Sequence, residues 1–128
     1  MSQVMLYIED GEDNICLVQA LIRRRPHIEL HVARNGRDGV QAVVDKHPGL
    51  ILLDNRLPDA TGSEILQELT AAPVTAAIPV IVLSGDSHDI IDELLASGAA
   101  ESVAKPFDIH QFIAIIDRYL PMITDACQ

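Results

Sequence analysis

Leu50-Ile51-Leu52-Leu53-Asp54-Asn55-Arg56-Leu57-Pro58 decides how this chain is read. Four apolar residues run into one carboxylate, and a proline-marked turn follows. An apolar run this short, bounded by turn formers, is the pattern of a strand buried on both faces, as parallel sheets require. Open parallel sheets bind ligands beyond the carboxyl ends of their strands, so an acid placed there, Asp54, faces a site.

Alternating strand and helix patterns run outward from this stretch in both directions. Val4-Met5-Leu6-Tyr7-Ile8 is an apolar strand that stops at Glu9-Asp10. Ile15, Val18, Leu21 and Ile22 keep helical spacing, with Asp13 or Asn14 placed to cap the helix and Arg23-Arg24-Arg25 suited to its carboxyl-end dipole; Pro26 ends it. Ile28-Glu29-Leu30-His31-Val32 alternates strictly, which predicts a half-exposed edge strand, and Val40, Val43 and Val44 give a second helix. After the opening stretch, Pro58-Asp59-Ala60-Thr61-Gly62 reads as a loop, Ile65, Leu66 and Leu69 as a third helix, and Ala71-Ala72-Pro73 as its stop. Pro79-Val80-Ile81-Val82-Leu83 is another fully apolar strand, with Ser84-Gly85-Asp86 at its carboxyl end. A helix carrying Ile90, Ile91, Leu94 and Leu95 ends at Gly98, and residues 101–104 make a short fifth strand that runs into Lys105-Pro106-Phe107. Asp108 caps a last helix with Ile109, Phe112, Ile113, Ile116 and Leu120 on one stripe.

Five strand–helix units imply right-handed crossovers and an α/β, doubly wound, five-stranded parallel sheet with five helices on its two faces. The polar second strand belongs at an edge, which favours the flavodoxin-like order 2-1-3-4-5. Strands one and three are then neighbours, and Glu9, Asp10 and Asp54 meet in one crevice.

Composition narrows the function. The 128 residues suit one domain, 1–128, with a core over about 4–120 and a short tail over 121–128, and such a core needs no zinc or disulfide staple. Nine basic and 19 acidic residues give a net charge of −10, which argues against nucleic acid or an anionic membrane and for protein partners. No apolar run is long enough to span a bilayer, and the chain enters a strand pattern at once without a signal-peptide pattern, so a cytoplasmic location is expected. Cys16 and Cys127 read as plain thiols, and His27, His31, His47, His88 and His110 lie mostly in turns, which argues against a metal or catalytic role.

Three carboxylates at one crevice repel one another, and a bound divalent cation relieves this most simply. With oxygen ligands alone, Mg²⁺ is the natural choice, because it keeps waters for an incoming phosphate. Lys105, after strand five, adds a fixed positive charge and Ser84, after strand four, a hydroxyl. An ionised Asp54 so surrounded can attack phosphorus, since cation, ammonium and hydroxyl can each hold an equatorial phosphoryl oxygen. Other uses of the skeleton fail locally. Glu9-Asp10-Gly11-Glu12-Asp13 would repel a flavin phosphate, no Gly-x-Gly-x-x-Gly or Walker A motif occurs, and Asp54 is followed by Asn55 and Arg56 rather than by the second acid of a dehalogenase-type phosphatase.

These residues carry a resemblance. Glu9-Asp10, Asp54 with Leu57-Pro58 and Gly62 behind it, Ser84-Gly85 and Lys105-Pro106-Phe107, in this order and spacing, resemble the receiver domain of two-component response regulators, of the chemotaxis-regulator type, from about residue 4 to 120. The resemblance implies that Asp54 accepts a phosphoryl group from a histidine kinase or histidine phosphotransfer protein and signals to a downstream output protein, as a monomer or weak dimer. It also implies that Asp10, Asp54 and the backbone carbonyl of Arg56 bind Mg²⁺, that Glu9 helps through water, that Ser84 and Lys105 grip the phosphoryl group, and that the Lys105-Pro106 bond is cis.

Plainer readings stand beside these: Asp54 as a loop cap, Lys105 as a structural counter-ion, Ser84 as a turn residue, and the whole domain as a phosphorylation-independent adaptor that binds proteins through the face made by the fourth helix, fifth strand and last helix. The chain also departs from the family pattern. Ser102 stands where many receivers place a switching aromatic, and Ala100-Glu101-Ser102 lacks the Asp-Asp-Tyr dimerisation signature of winged-helix regulators. Arg56 and Asp86, each two residues beyond a site residue, are placed to pair across the pocket mouth and shield a phosphoaspartate; two solvated surface charges would look the same in sequence.

Overall fold

The computed structural model describes residues 3–85, 92, 94–105 and 108–122. Strands β1 (Gln3–Ile8), β2 (Ile28–Ala33), β3 (Leu50–Asp54), β4 (Val80–Ser84) and β5 (Glu101–Ala104) form one parallel sheet in the order β2-β1-β3-β4-β5. Both the topology and the edge position of the alternating second strand agree with the sequence reading.

Side chains alternate across the pleat, so each strand feeds two cores. Met5, Tyr7, Leu50, Leu52, Ile81, Leu83 and Val103 face α1 (Glu12–Ile22) and the C-terminal helix (Ile109–Tyr119). Leu6, Ile8, Ile51, Leu53, Val80 and Val82 face α2 (Gly36–Lys46), α3 (Gly62–Ala71) and Leu94. All five residues of β3 are buried, as are all five of β4. At about 1.5–3 kcal/mol for each fully buried aliphatic side chain, these central strands fix the register and hold their carboxyl ends rigid.

Local details depart from the sequence reading where competing partners decide. Neither Asp13 nor Asn14 caps α1; the helix starts earlier, after Gly11, and the arginine run lies beyond its last residue, Ile22. Pro73 stops α3 but also opens a short further helix, α4 (Pro73–Ala76), because its fixed φ and missing N–H suit a first helical turn. This adds a helix to the expected set. On the C-terminal helix Asp108 caps as expected, accepting from the N–H of Gln111 at 3.1 Å, but Ile109 is exposed and Ile115 takes its place in the buried stripe. Residues 94–96 are helical, Leu94 is buried and Gly98 follows at φ 117°, the left-handed turn that a glycine supplies after a helix. Ile90, Ile91, Pro106, Phe107 and Cys127 lie outside the described residues. Among the described residues no helix is long and apolar enough to cross a membrane.

Candidate functional site

The site is assembled by strand register. Glu9 follows Ile8, which pairs with Leu53; Asp54 pairs with Leu83; Lys105 follows Ala104, which pairs with Ser84. Backbone bonds lock the ends together: the N–H of Asn55 donates to Leu83 at 3.2 Å and that of Lys105 to Ser84 at 2.9 Å. Period-two alternation then carries Tyr7 to Glu9, Leu52 to Asp54 and Val103 to Lys105 on the face that packs on α1, while Val82 leads to Ser84 from the opposite face.

Carboxylate oxygens of Glu9, Asp10 and Asp54 lie within 4.8 Å of one another. Together with Arg56, Gly85 and Lys105 they line a cleft of about 530 Å³. Glu9 and Asp54 are only 2% and 7% exposed, Ser84 1%, whereas Asp10 stands open to solvent. Lys105 Nζ bridges the buried pair, donating to Asp54 Oδ1 at 3.0 Å and to Glu9 Oε1 at 3.1 Å.

The two buried acids are not equivalent. Burial alone would raise Glu9, but it accepts from the Tyr7 phenol at 2.9 Å and the Gly11 N–H at 3.2 Å as well as from Lys105, and these donors hold its pKa below the ordinary carboxylate range. Asp54 has Lys105 and a long contact from the Arg56 N–H, 3.4 Å; burial and the Glu9 charge win, and its pKa rises to about 6. Lys105 is half-buried, which would lower its pKa, yet its two carboxylate partners keep it raised and its charge fixed.

The donor set fits a hard divalent cation: three carboxylates, one solvent-facing, with Asp54 at the cleft wall. Both oxygens of Glu9 already accept protein donors, which suits contact with a metal through water rather than directly. The loop after β3 that carries Arg56 is held closed. Gly62 N–H donates to Asn55 at 2.9 Å, Leu57 N–H to Ala60 at 3.1 Å, and Arg56 bridges to Thr61, which caps α3 in a reciprocal box with Glu64. A methyl on Gly62 would sit 2.9 Å from Asn55 Oδ1 and 3.1 Å from its Cα. Gly62→Ala is therefore expected to cost about 1–3 kcal/mol in urea unfolding and to weaken Mg²⁺ binding in the same preparation.

The structure brings Glu9, Asp10, Asp54, Ser84 and Lys105 to one edge and places Arg56 at the cleft rim. Asp86 lies outside the described residues, and with it the proposed pairing to Arg56. Two further residues support the site from outside the cleft and were not singled out by sequence. Tyr7 reads there as one more apolar residue of a strand. Asp59 reads as loop, yet it accepts from the N–H groups of Gly36 at 2.7 Å and Arg37 at 3.0 Å, which hold its pKa low and tie the Asp54 loop to the start of α2. The Ser102 hydroxyl is buried with no hydrogen-bond partner among the described residues.

The sequence profile described as "response regulator receiver domain" matches residues 5–117. The chain belongs to this receiver family. It is 30% identical over 118 residues to the regulatory protein AtoC of Escherichia coli K12, covering 91% of this chain but only 25% of that protein. It is 29% identical over 121 residues to the polar-differentiation response regulator DivK of Brucella ovis, covering 94% of this chain and 98% of DivK. Among solved structures it is similar to the receiver domain of the sensor histidine kinase PA1611 of Pseudomonas aeruginosa PAO1, crystallised with a magnesium ion coordinated in its active-site cleft: TM-score 0.83, 25% identity, 93% of this chain and 98% of that one. The chain is thus a receiver domain of the two-component response regulator family. It spans about a quarter of the length of AtoC.

Proposed function

We propose that Asp54 is the phosphoacceptor of a two-component signalling step, taking its phosphoryl group from a phosphohistidine of a histidine kinase or phosphotransfer protein and passing the signal to an output protein. The observation that carries this reading is Lys105 Nζ, held between the Asp54 and Glu9 carboxylates at the mouth of a three-acid cleft. An ion-pair network so buried is costly to maintain, and an ammonium beside Asp54 would suit the charge that develops on a transferred phosphoryl group.

In this reading the ionised Asp54 oxygen attacks phosphorus, the P–N bond to histidine breaks, and an acyl phosphate forms. Lys105 and Ser84 stabilise the equatorial oxygens. Water later attacks phosphorus, returning carboxylate and inorganic phosphate. Asp10, Asp54 and the Arg56 carbonyl would hold Mg²⁺, with Glu9 reaching it through water; when bound, the ion neutralises the crowded carboxylates and the phosphoryl charge. The magnesium in the PA1611 receiver cleft supports this choice.

Incubation with acetyl phosphate and Mg²⁺, read by intact mass, tests the proposal. One added phosphoryl group is expected, absent in Asp54→Ala and absent in EDTA. No gain in the wild-type chain would overturn it and leave the adaptor reading.

A further inference from the structure

Tyr7 is fully buried on β1, alongside Leu52 and two residues before Glu9, so its ring runs under the site on the face that packs on α1. Its phenol donates to Glu9 Oε1 at 2.9 Å. The same oxygen accepts from Lys105 Nζ at 3.1 Å, while Glu9 Oε2 takes the Gly11 N–H at 3.2 Å.

We infer that Tyr7 is a positioning residue for phosphoryl transfer, the fixed donor that keeps Glu9 in place when Lys105 turns from it to the phosphoryl group. The inference rests on the reading of Asp54 as phosphoacceptor. An ammonium has three N–H donors, and here two are committed to carboxylates. The third is left for a phosphoryl oxygen, but bringing Nζ up to one on Asp54 draws the ammonium out into the cleft and lengthens its bond to the buried Glu9. A carboxylate 2% exposed does not give up its cation cheaply unless other donors remain. Gly11 serves one Glu9 oxygen and Tyr7 the other, which Lys105 shares. Removing the phenol leaves that oxygen dependent on Lys105, and the lysine is held back from the phosphate.

A double-mutant cycle tests this in the full chain, with phosphorylation of Asp54 by acetyl phosphate and saturating Mg²⁺ followed by intact mass. Tyr7→Phe keeps the ring and is expected to slow phosphorylation about fivefold to tenfold. In a Glu9→Ala background the same substitution is expected to change the rate by less than about twofold, because the acceptor through which it acts is gone. An unchanged rate in Tyr7→Phe, or an equal loss in both backgrounds, would overturn the inference while phosphorylation itself still supports the reading of Asp54. No phosphorylation of the wild-type chain would overturn both. In the unsubstituted chain the Tyr7 ζ-carbon resonance is expected to move as Asp54 is loaded, since Glu9 then leans on the phenol; an unmoved resonance in loaded protein also counts against it.

Discussion

Lys105→Ala is expected to slow phosphorylation of Asp54 by about two to three orders of magnitude, the loss typical of removing one charge-stabilising donor from a preorganised site. The same substitution is expected to tighten Mg²⁺ binding. Lys105 stands 3.0 Å from Asp54 and 3.1 Å from Glu9, so it is a cation that competes with any metal for those carboxylates. Without it, the three acids of the cleft attract a divalent ion more strongly, provided the measurement is made at about pH 8, where proton competition at Asp54 is small. Opposite changes in the two quantities separate the roles of this residue, because a collapsed site would weaken metal binding and phosphorylation together. Initial rates by intact mass and calorimetric Mg²⁺ titration of the same preparation decide it. A rate within about fivefold of wild type would make Lys105 the structural counter-ion that the sequence alone also allows.

How far the sequence exposed this arrangement depended on the range of the forces involved. Asp54, Glu9, Asp10, Ser84 and Lys105 were legible because each ends or follows a short apolar strand, and parallel register brings such ends together. Buried strands carry that information locally, in the burial of every residue of β3 and β4. Tyr7 was not legible: its phenol makes it a site residue only because Glu9 lies on the same pleat face with Lys105 across the sheet. Asp59 was missed for the same reason, since its partners are 23 and 22 residues away at the start of α2. The helix termini failed differently. Asp13 and Asn14 are good caps by type, but α1 begins at Glu12 directly after Gly11, whose N–H is already held by Glu9. The demand of the site outranks the local preference.

Asp54→Asn is expected to stabilise the metal-free chain by about 1–3 kcal/mol at neutral pH, a gain that disappears towards about pH 4 and is offset by Mg²⁺. The folded chain raises the Asp54 pKa from 3.8 to about 6, first because the group is buried and further because of the Glu9 charge, against the pull of Lys105. Unfolded, the same carboxyl group ionises near its ordinary value. Between those two values the folded state therefore holds a proton that the unfolded state has lost, so stability falls as pH rises through about 4 to 6 and stays low above it. Asparagine keeps the shape and an acceptor for Lys105 but carries no charge, so the penalty is removed in the range where aspartate would be ionised. Added Mg²⁺ works the other way. On the proposed reading it is expected to bind the folded wild-type chain and not the unfolded one, worth about 2.7 kcal/mol at a hundredfold excess over Kd, whereas the variant would lack a ligand and gain little. Thermal unfolding in EDTA and in Mg²⁺, each at about pH 4.5 and 7.5, reads all four corners. A wild-type chain as stable as the variant in EDTA at the higher pH, or a difference that does not shrink on acidification, would mean that Asp54 ionises without strain. The crowded cleft would then supply no part of the drive to bind a cation.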